Sequence, residues 1–335
     1  MRASLTPILR CPRCHSDGSL ELTVTASDAR EARAGSLDCS RCAGRFALVD
    51  GIADLMPDPP DFVARECAGL DRFAAAMRAD GWDRERILSL PDIDLGYWEG
   101  QAGAMRALLQ RVAFVPGRRL LDVGANTCWA SNIFAARGLE VIALDIAVNE
   151  LQGLRTADFF LQGGEVYFER VRSMMFAPAL ASESIDYVFC CEVLHHNDRA
   201  HLRRTFAELY RLLRPGGRLL AINEPMRFPL MLKRDHAREV AQYEGNEHVY
   251  FLHEYYLAAR RAGFQIDIPA LRKAPHPSNS SLRALYRLGL SCWRNLVAGN
   301  TALAMDCVRP VSSGAAKARG PEAASESPPA PAPRR

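Results

Sequence analysis

Four short apolar runs punctuate the middle of the chain: RRLLDVGA at 118–125, EVIALDI at 140–146, IDYVFCCEV at 185–193 and GRLLAINEP at 217–225. Runs of this length without polar alternation predict strands buried on both faces. Between the last two, Leu202, Phe206, Leu209 and Leu213 share one helical stripe, as an amphipathic helix on a sheet requires. Strands alternating with helices predict an α/β fold, a Rossmann-like, doubly wound and mostly parallel sheet. Ahead of it, residues 62–114 carry Phe73, Met77, Met105, Leu108, Leu109 and Val112 at helical spacing, broken at Asp80-Gly81 and Pro91. The turn-rich MPDPPD at 56–61 marks a boundary, because its prolines stop regular structure. We therefore read residues 1–58 as a small first domain, 59–116 as a helical lid or linker, and 117–309 as the α/β domain. Residues 310–335 are read as a disordered tail, since from 312 on they are Pro, Ala and Ser with no large apolar side chain.

Composition narrows the class. With 48% hydrophobic and 24% charged residues, the 335-residue chain is of ordinary globular type. No apolar run reaches membrane-spanning length, and the opening MRASLTPILRCPRC is too short in apolar residues for a secretion signal. An intracellular, cytoplasmic protein is expected, and its ten cysteines then need a role other than disulfides. The net charge of +3 falls to +1 once residues 311–335 are set aside. A nearly neutral body offers no electrostatic footprint for nucleic acid.

Four of the cysteines form two C-x2-C knuckles, Cys11/Cys14 and Cys39/Cys42. Two intervening residues let paired thiolates reach one ion from a tight turn, and four thiolates complete a tetrahedral zinc site. Such a closed site leaves no position for substrate, so the zinc would be structural, supplying folding energy to a module too small for a good core. The layout, with a leucine-rich start, two knuckles, Phe46 and a strand closing on Asp50-Gly51-Ile52, resembles the zinc ribbon that activates tRNA and release-factor methyltransferases as a separate subunit. Seven basic against eight acidic residues over 1–58 disfavour an RNA-gripping role for it.

LLDVGANTCWASNIFAARGLEVIALDI has the order strand, turn, helix, strand, with Asp145 closing the second strand. That is the nucleotide-binding half of a doubly wound fold, whose ligand sits at the carboxyl ends of the strands. The G-x-G-x-x-G of a dinucleotide site and the Gly-Lys-Ser/Thr of a P-loop are both missing. A ligand without phosphate suits the loop better, and Asp145 is placed to accept from both hydroxyls of a ribose; S-adenosylmethionine is such a ligand.

DVGAN at 122–126, ALD at 143–145, SIDYVFCCEVLHH at 184–196 and RLLRPGGRLL at 211–220 together resemble the class I S-adenosylmethionine-dependent methyltransferases of the "type 11" group. The resemblance implies that Asp122, Gly124, Asn126 and Thr127 lie against the amino acid part of the cofactor, and that Asp145, followed by Ile146, holds the ribose. Two departures stand out. The usual D-x-G-x-G-x-G has become Asp122-Val-Gly124-Ala-Asn126-Thr-Cys128, where Asn126 can take the left-handed turn position. The acidic residue expected to meet the adenine amine is missing, which leaves Ser173 or the Met174 backbone to serve.

Methyl transfer from a sulfonium needs an acceptor held in line and, for a hydroxyl or acidic carbon, a proton acceptor. Glu192, His195, His196 and Asn197 lie where the third apolar run, the fold's fourth strand, ends and the methyl group would lie, and the two histidines are candidate general bases that sequence cannot separate. Pocket-lining is the alternative role for the pair. Tyr97-Trp98-Glu99 with Gln101 resembles a lid over the cofactor, with Tyr97 reaching it. Residues 246–264 resemble a substrate-side insertion carrying Glu247, His248, Tyr250, His253 and Tyr255, and Glu224 ends a strand facing the cleft. The basic amphipathic stretch 282–297 either covers the sheet or touches a membrane surface, and TALAMDCV is expected as a last, antiparallel strand.

The expected function is methyl transfer from S-adenosylmethionine to a small-molecule or lipid-like acceptor. The methylated atom, O, N or C, and the oligomeric state stay open. Two alternatives are an rRNA or tRNA base methyltransferase and a non-catalytic binding module of the same fold.

Overall fold

The computed structural model describes residues 1–227, 247–269 and 302–311. Its centre is one sheet in the order β1 (Leu20–Ser27), β2 (Ala32–Cys39), β3 (Arg45–Val49), β4 (Ile52–Asp54), β7 (Glu169–Arg172), β6 (Glu140–Asp145), β5 (Arg119–Val123), β8 (Ile185–Cys191), β9 (Leu213–Arg227), β12 (Ala302–Val308) and β11 (Gln265–Asp267), with β10 (Tyr250–Phe251) paired to β9. The parallel core consists of β5 (Arg119–Val123), β6 (Glu140–Asp145), β7 (Glu169–Arg172), β8 (Ile185–Cys191) and β9 (Leu213–Arg227). β12 (Ala302–Val308) runs antiparallel between β9 and β11 (Gln265–Asp267), as expected for the last strand.

Successive residues of the core strands serve opposite faces, the pattern a doubly covered sheet requires. Leu121, Val123, Val188 and Cys190 pack with α6 (Arg199–Leu212) and α7 (Leu252–Ala262). Leu120, Phe189, Leu220 and Ile222 pack on the other face with α3 (Gly96–Arg111), α4 (Trp129–Ala135) and α5 (Ala157–Leu161), joined by Met77 of α1 (Asp61–Ala79) and Ile87 of α2 (Arg84–Leu88). The helices break where Gly81 takes a left-handed conformation and where Pro91 follows α2. The stripe of α6 is buried at Leu202, Phe206 and Leu209, whereas Leu213 already belongs to β9.

The first 58 residues do not stand apart. The strands β1 (Leu20–Ser27), β2 (Ala32–Cys39), β3 (Arg45–Val49) and β4 (Ile52–Asp54) form an antiparallel ladder, and β4 then pairs in parallel with β7, Ile52 opposite Arg170 and Asp54 opposite Arg172. Leu9, Leu37, Phe46, Leu48 and Leu55 lie in the same apolar cluster as Val171 and Leu180. A charged bridge crosses the seam. The wholly buried Arg170 of β7 pairs with Glu31, and its other nitrogen reaches Asp158 of α5 at 2.7 Å. Residues 282–297 and the tail from 312 on lie outside the described residues, so the expectations for them are not met or refuted here. Among the described residues no helix is long and apolar enough to cross a membrane.

Candidate active site and metal centre

The four cysteines meet as expected. Their sulfurs all lie within 4.8 Å of one another, with Cys11 to Cys42 at 3.6 Å and Cys14 to Cys39 at 3.7 Å. A zinc ion with thiolate bonds of about 2.3 Å gives tetrahedral edges of about 3.8 Å. The donor set therefore fits zinc in size as well as in chemistry. Burial opposes charge on Cys39, yet the Ser19 hydroxyl at 3.4 Å and the Arg41 and Cys42 amides draw it down to about 6, whereas burial pushes the neighbouring Cys11 thiol up to about 12.

The carboxyl ends of the central strands hold a concentration of strained backbone. Gly124, Asn126 and Cys128 after β5, Glu192 after β8 and Asn223 within β9 all have positive φ, between 45° and 68°. Left-handed non-glycine residues persist only where surroundings enforce them, and they gather at functional sites. At Gly124 the reason is direct, because a Cβ would sit 2.3 Å from Val193 Cγ2. Asn126 occupies the left-handed position expected of it and donates from its side chain to Gln152 at 2.7 Å.

Asp145, at the end of β6, accepts from the Asn126 amide with one oxygen and from the Ala147 amide with the other, both at 2.8 Å. Burial nevertheless pushes its carboxyl up to about 6. Asp122 is deeper, accepts from the Ser131 hydroxyl at 2.6 Å, and burial with help from the Asp145 charge pushes it up to about 7. Thr127, 1% exposed, carries a buried hydroxyl with no partner among the described residues. An orphaned hydroxyl, spare carboxylate lone pairs and a glycine cradle together fit a ligand with a ribose and a polar amino acid end, as S-adenosylmethionine has.

The adenine-side candidates fare differently. The Ser173 hydroxyl is taken by its own loop, donating to the Ala177 carbonyl and accepting the Ala179 amide at 3.1 Å. Ile146 and Met174 instead join an apolar patch with Met56, Val63 and Phe176. Helix α1 lies against this patch, its Cys67 thiol 3.6 Å from the Ile146 carbonyl.

On the opposite side, Tyr97 of α3 donates to the Glu192 carboxylate, which burial raises. Gln101 of the same helix accepts from Asn223 at 2.7 Å. Glu224, expected in the cleft, is instead wholly buried and accepts the amides of Val193, Leu194 and His195. The residue that sequence reading missed is Glu66, which lies 2.6 Å from His196 Nδ1. Its signal was available: a glutamate at a buried position of α1, in register with Val63, Gly69 and Met77. From the substrate-side segment, Tyr250 donates to the Asn197 carbonyl at 2.5 Å and Tyr255 to the Pro225 carbonyl at 3.2 Å, so both tyrosines brace the fold.

Residues 121–221 match the family described as a methyltransferase domain. The chain is 32% identical over 141 residues to the biotin biosynthesis bifunctional protein BioHC of Cellvibrio japonicus, covering 41% of this chain and 26% of that protein. It is 31% identical over 117 residues to the demethylmenaquinone methyltransferase of Renibacterium salmoninarum, covering 34% of this chain and 45% of that protein. Less than half the length of either relative is thus spanned. Among solved structures, the complex between the Haloferax volcanii Trm112 methyltransferase activator and a methyltransferase aligns with a TM-score of 0.46 at 17% identity, covering 68% of this chain and 95% of that one. The segment from β5 into β9 is thus the part of the chain that is similar to a methyltransferase domain.

Proposed function

We propose that the chain transfers a methyl group from S-adenosylmethionine to a small-molecule acceptor. The observation that carries this reading is the pair of buried, cation-free groups at the strand ends, the Asp145 carboxylate and the orphaned Thr127 hydroxyl. When bound, the sulfonium supplies a methyl group that needs no further activation. Asp145 would accept from the ribose hydroxyls, Thr127 and the 124–128 turn would meet the amino acid end, and Ile146 and Met174 would offer apolar surface to the adenine. Helix α1 covers the apolar patch beside the site and Tyr97, itself exposed, reaches Glu192, while Glu192, His195 and His196 stand where an acceptor's proton must go. A zinc ion on Cys11, Cys14, Cys39 and Cys42 would be structural, because four thiolates leave it no open position.

The acceptor class rests on two supports. The ribbon's charges balance, seven basic against eight acidic over residues 1–58, which is unlike a phosphate-gripping surface. The demethylmenaquinone enzyme among the relatives is named for a small-molecule acceptor. Incubating the full chain with methyl-labelled S-adenosylmethionine and a fractionated cell extract tests the reading. Label is expected in the small-molecule or lipid fraction; label in the RNA fraction would contradict it.

A further inference from the structure

Two carboxylates from different elements reach two adjacent histidines. Glu224 of β9 accepts amides from Val193 at 2.9 Å, Leu194 at 3.0 Å and His195 at 3.3 Å, and its second oxygen lies 3.2 Å from His195 Nδ1. Glu66 comes from α1, outside the matched methyltransferase segment, and sits 2.6 Å from His196 Nδ1. The two imidazole centroids are 4.3 Å apart. Rings this close do not both carry charge readily, so their carboxylates decide which one does.

We propose that Glu66 and Glu224 are positioning residues that sort the pair: Glu224 orients the ring of a buried, neutral His195 through Nδ1 and so leaves Nε2 as its proton-accepting nitrogen, and Glu66 keeps His196 as an imidazolium that fastens α1 over the cofactor site. The charge of Glu224 is shared among three amide donors, which weakens its pull on His195. Burial and the neighbouring His196 charge accordingly lower His195. Burial alone would lower His196 too, but Glu66 overrides it and brings it up to about 9. The other ionisable groups facing the pair are Glu192 at the end of β8 and Glu247 and His248 ahead of β10 (Tyr250–Phe251), where the His248 amide donates to the His195 carbonyl at 2.9 Å. Opposed environments on neighbouring titratable groups divide acid from base. The chemistry rests on the methyl-transfer reading: for a hydroxyl acceptor, the O–H proton passes to His195 Nε2 as an oxygen lone pair forms the C–O bond, and the electron pair of the breaking S–C bond stays on sulfur.

Imidazole ¹⁵N NMR of the full-length, zinc-loaded chain with saturating S-adenosylhomocysteine tests the sorting, with H195N and H196N used for assignment. His196 is expected to titrate near 9, and His195 to titrate below its ordinary 6.5 and to carry its proton on Nδ1 when neutral. In Glu66→Gln, the His196 midpoint should fall by at least one pH unit, a tenfold change in proton affinity, and amide exchange across residues 61–79 should quicken about tenfold. In Glu224→Gln, the His195 tautomer preference should be lost while His196 still titrates high. Both histidines titrating together near 6.5, or an unchanged His196 and α1 in Glu66→Gln, would overturn the proposal. Should Glu224→Gln not fold, the wild-type and Glu66→Gln spectra decide alone. Calorimetric binding of S-adenosylhomocysteine to the same samples separates the two claims, since absent binding contradicts the methyltransferase reading while the spectra still judge the sorting.

Discussion

The seam between ribbon and core and the carboxyl ends of the central strands both bury carboxylates in one sheet, but they treat them oppositely. At the seam, burial would raise Glu31, yet the Arg170 guanidinium overrides it and holds that carboxyl at about 2. At the strand ends, no cation among the described residues pairs with Asp122 or Asp145, and burial lifts them to about 7 and 6. The seam has the character of a stabilising joint, its charges compensated within the chain. The strand ends are left uncompensated, as sites that await a ligand's hydrogen-bond donors are.

The largest expected effect comes from the metal that anchors the joint. Because β4 shares ladder bonds with β7, stripping zinc or introducing Cys39→Ser should unfold more than the ribbon. Structural zinc binding in small modules is worth on the order of 10 kcal/mol, so calorimetry should show a single transition lowered by more than 10 °C. Unfolding of the ribbon alone, with the core transition unmoved, would break the picture of a continuous sheet.

Arg170→Met comes next. It takes one buried partner from Glu31, which keeps the Met1 ammonium and Arg33, and from Asp158, and should cost about 3 kcal/mol by urea denaturation. The pH signature is specific. Glu31 is held below its ordinary value of 4.5, so its stabilisation is complete above pH 4.5 and is lost as pH falls from 4.5 towards 2. The variant should show a weaker acid dependence, the remainder coming from the Met1 ammonium and Arg33.

A smaller change of opposite sign is expected at Asp122→Asn, which keeps an acceptor for the Ser131 hydroxyl. Asp122 is held above its ordinary 3.8, so its ionised form costs stability above pH 7, and the cost fades as pH falls from 7 to 3.8. The variant should be more stable than wild type at pH 8 by roughly 1–3 kcal/mol and no more stable at pH 4. A destabilised variant at pH 8 would show that the strand-end carboxylate is compensated after all.

Much of both regions was legible because it is encoded locally. Knuckle spacing identified Cys11, Cys14, Cys39 and Cys42, and apolar runs of strand length marked β5, β6, β8 and β9. Gly124 and Asp145 could be placed because a turn and a strand end need only their neighbours. Pairings between distant segments were not legible. Nothing near Ile52 signals that it will lie opposite Arg170, and the 129 residues between Glu66 and His196 hide their ion pair from any local pattern. Ser173 shows the same limit in reverse, since its availability to a ligand depended on whether the Ala177 carbonyl and Ala179 amide would claim its hydroxyl. Glu224 read as a cleft residue from its strand-end position, and only the fold of the 193–195 turn over it explains its burial.

The central claim is that Asp145 and the 124–128 turn form an S-adenosylmethionine site whose carboxylate waits for ribose hydroxyls. Isothermal titration of S-adenosylmethionine into the full zinc-loaded chain and into Asp145→Ala tests it most directly. Saturable one-to-one binding to wild type, weakened about a hundredfold or more in Asp145→Ala by loss of charge-assisted hydrogen bonds of roughly 1.5–3 kcal/mol each, is the expected result. No heat with wild type, or equal affinity in the variant, would contradict it.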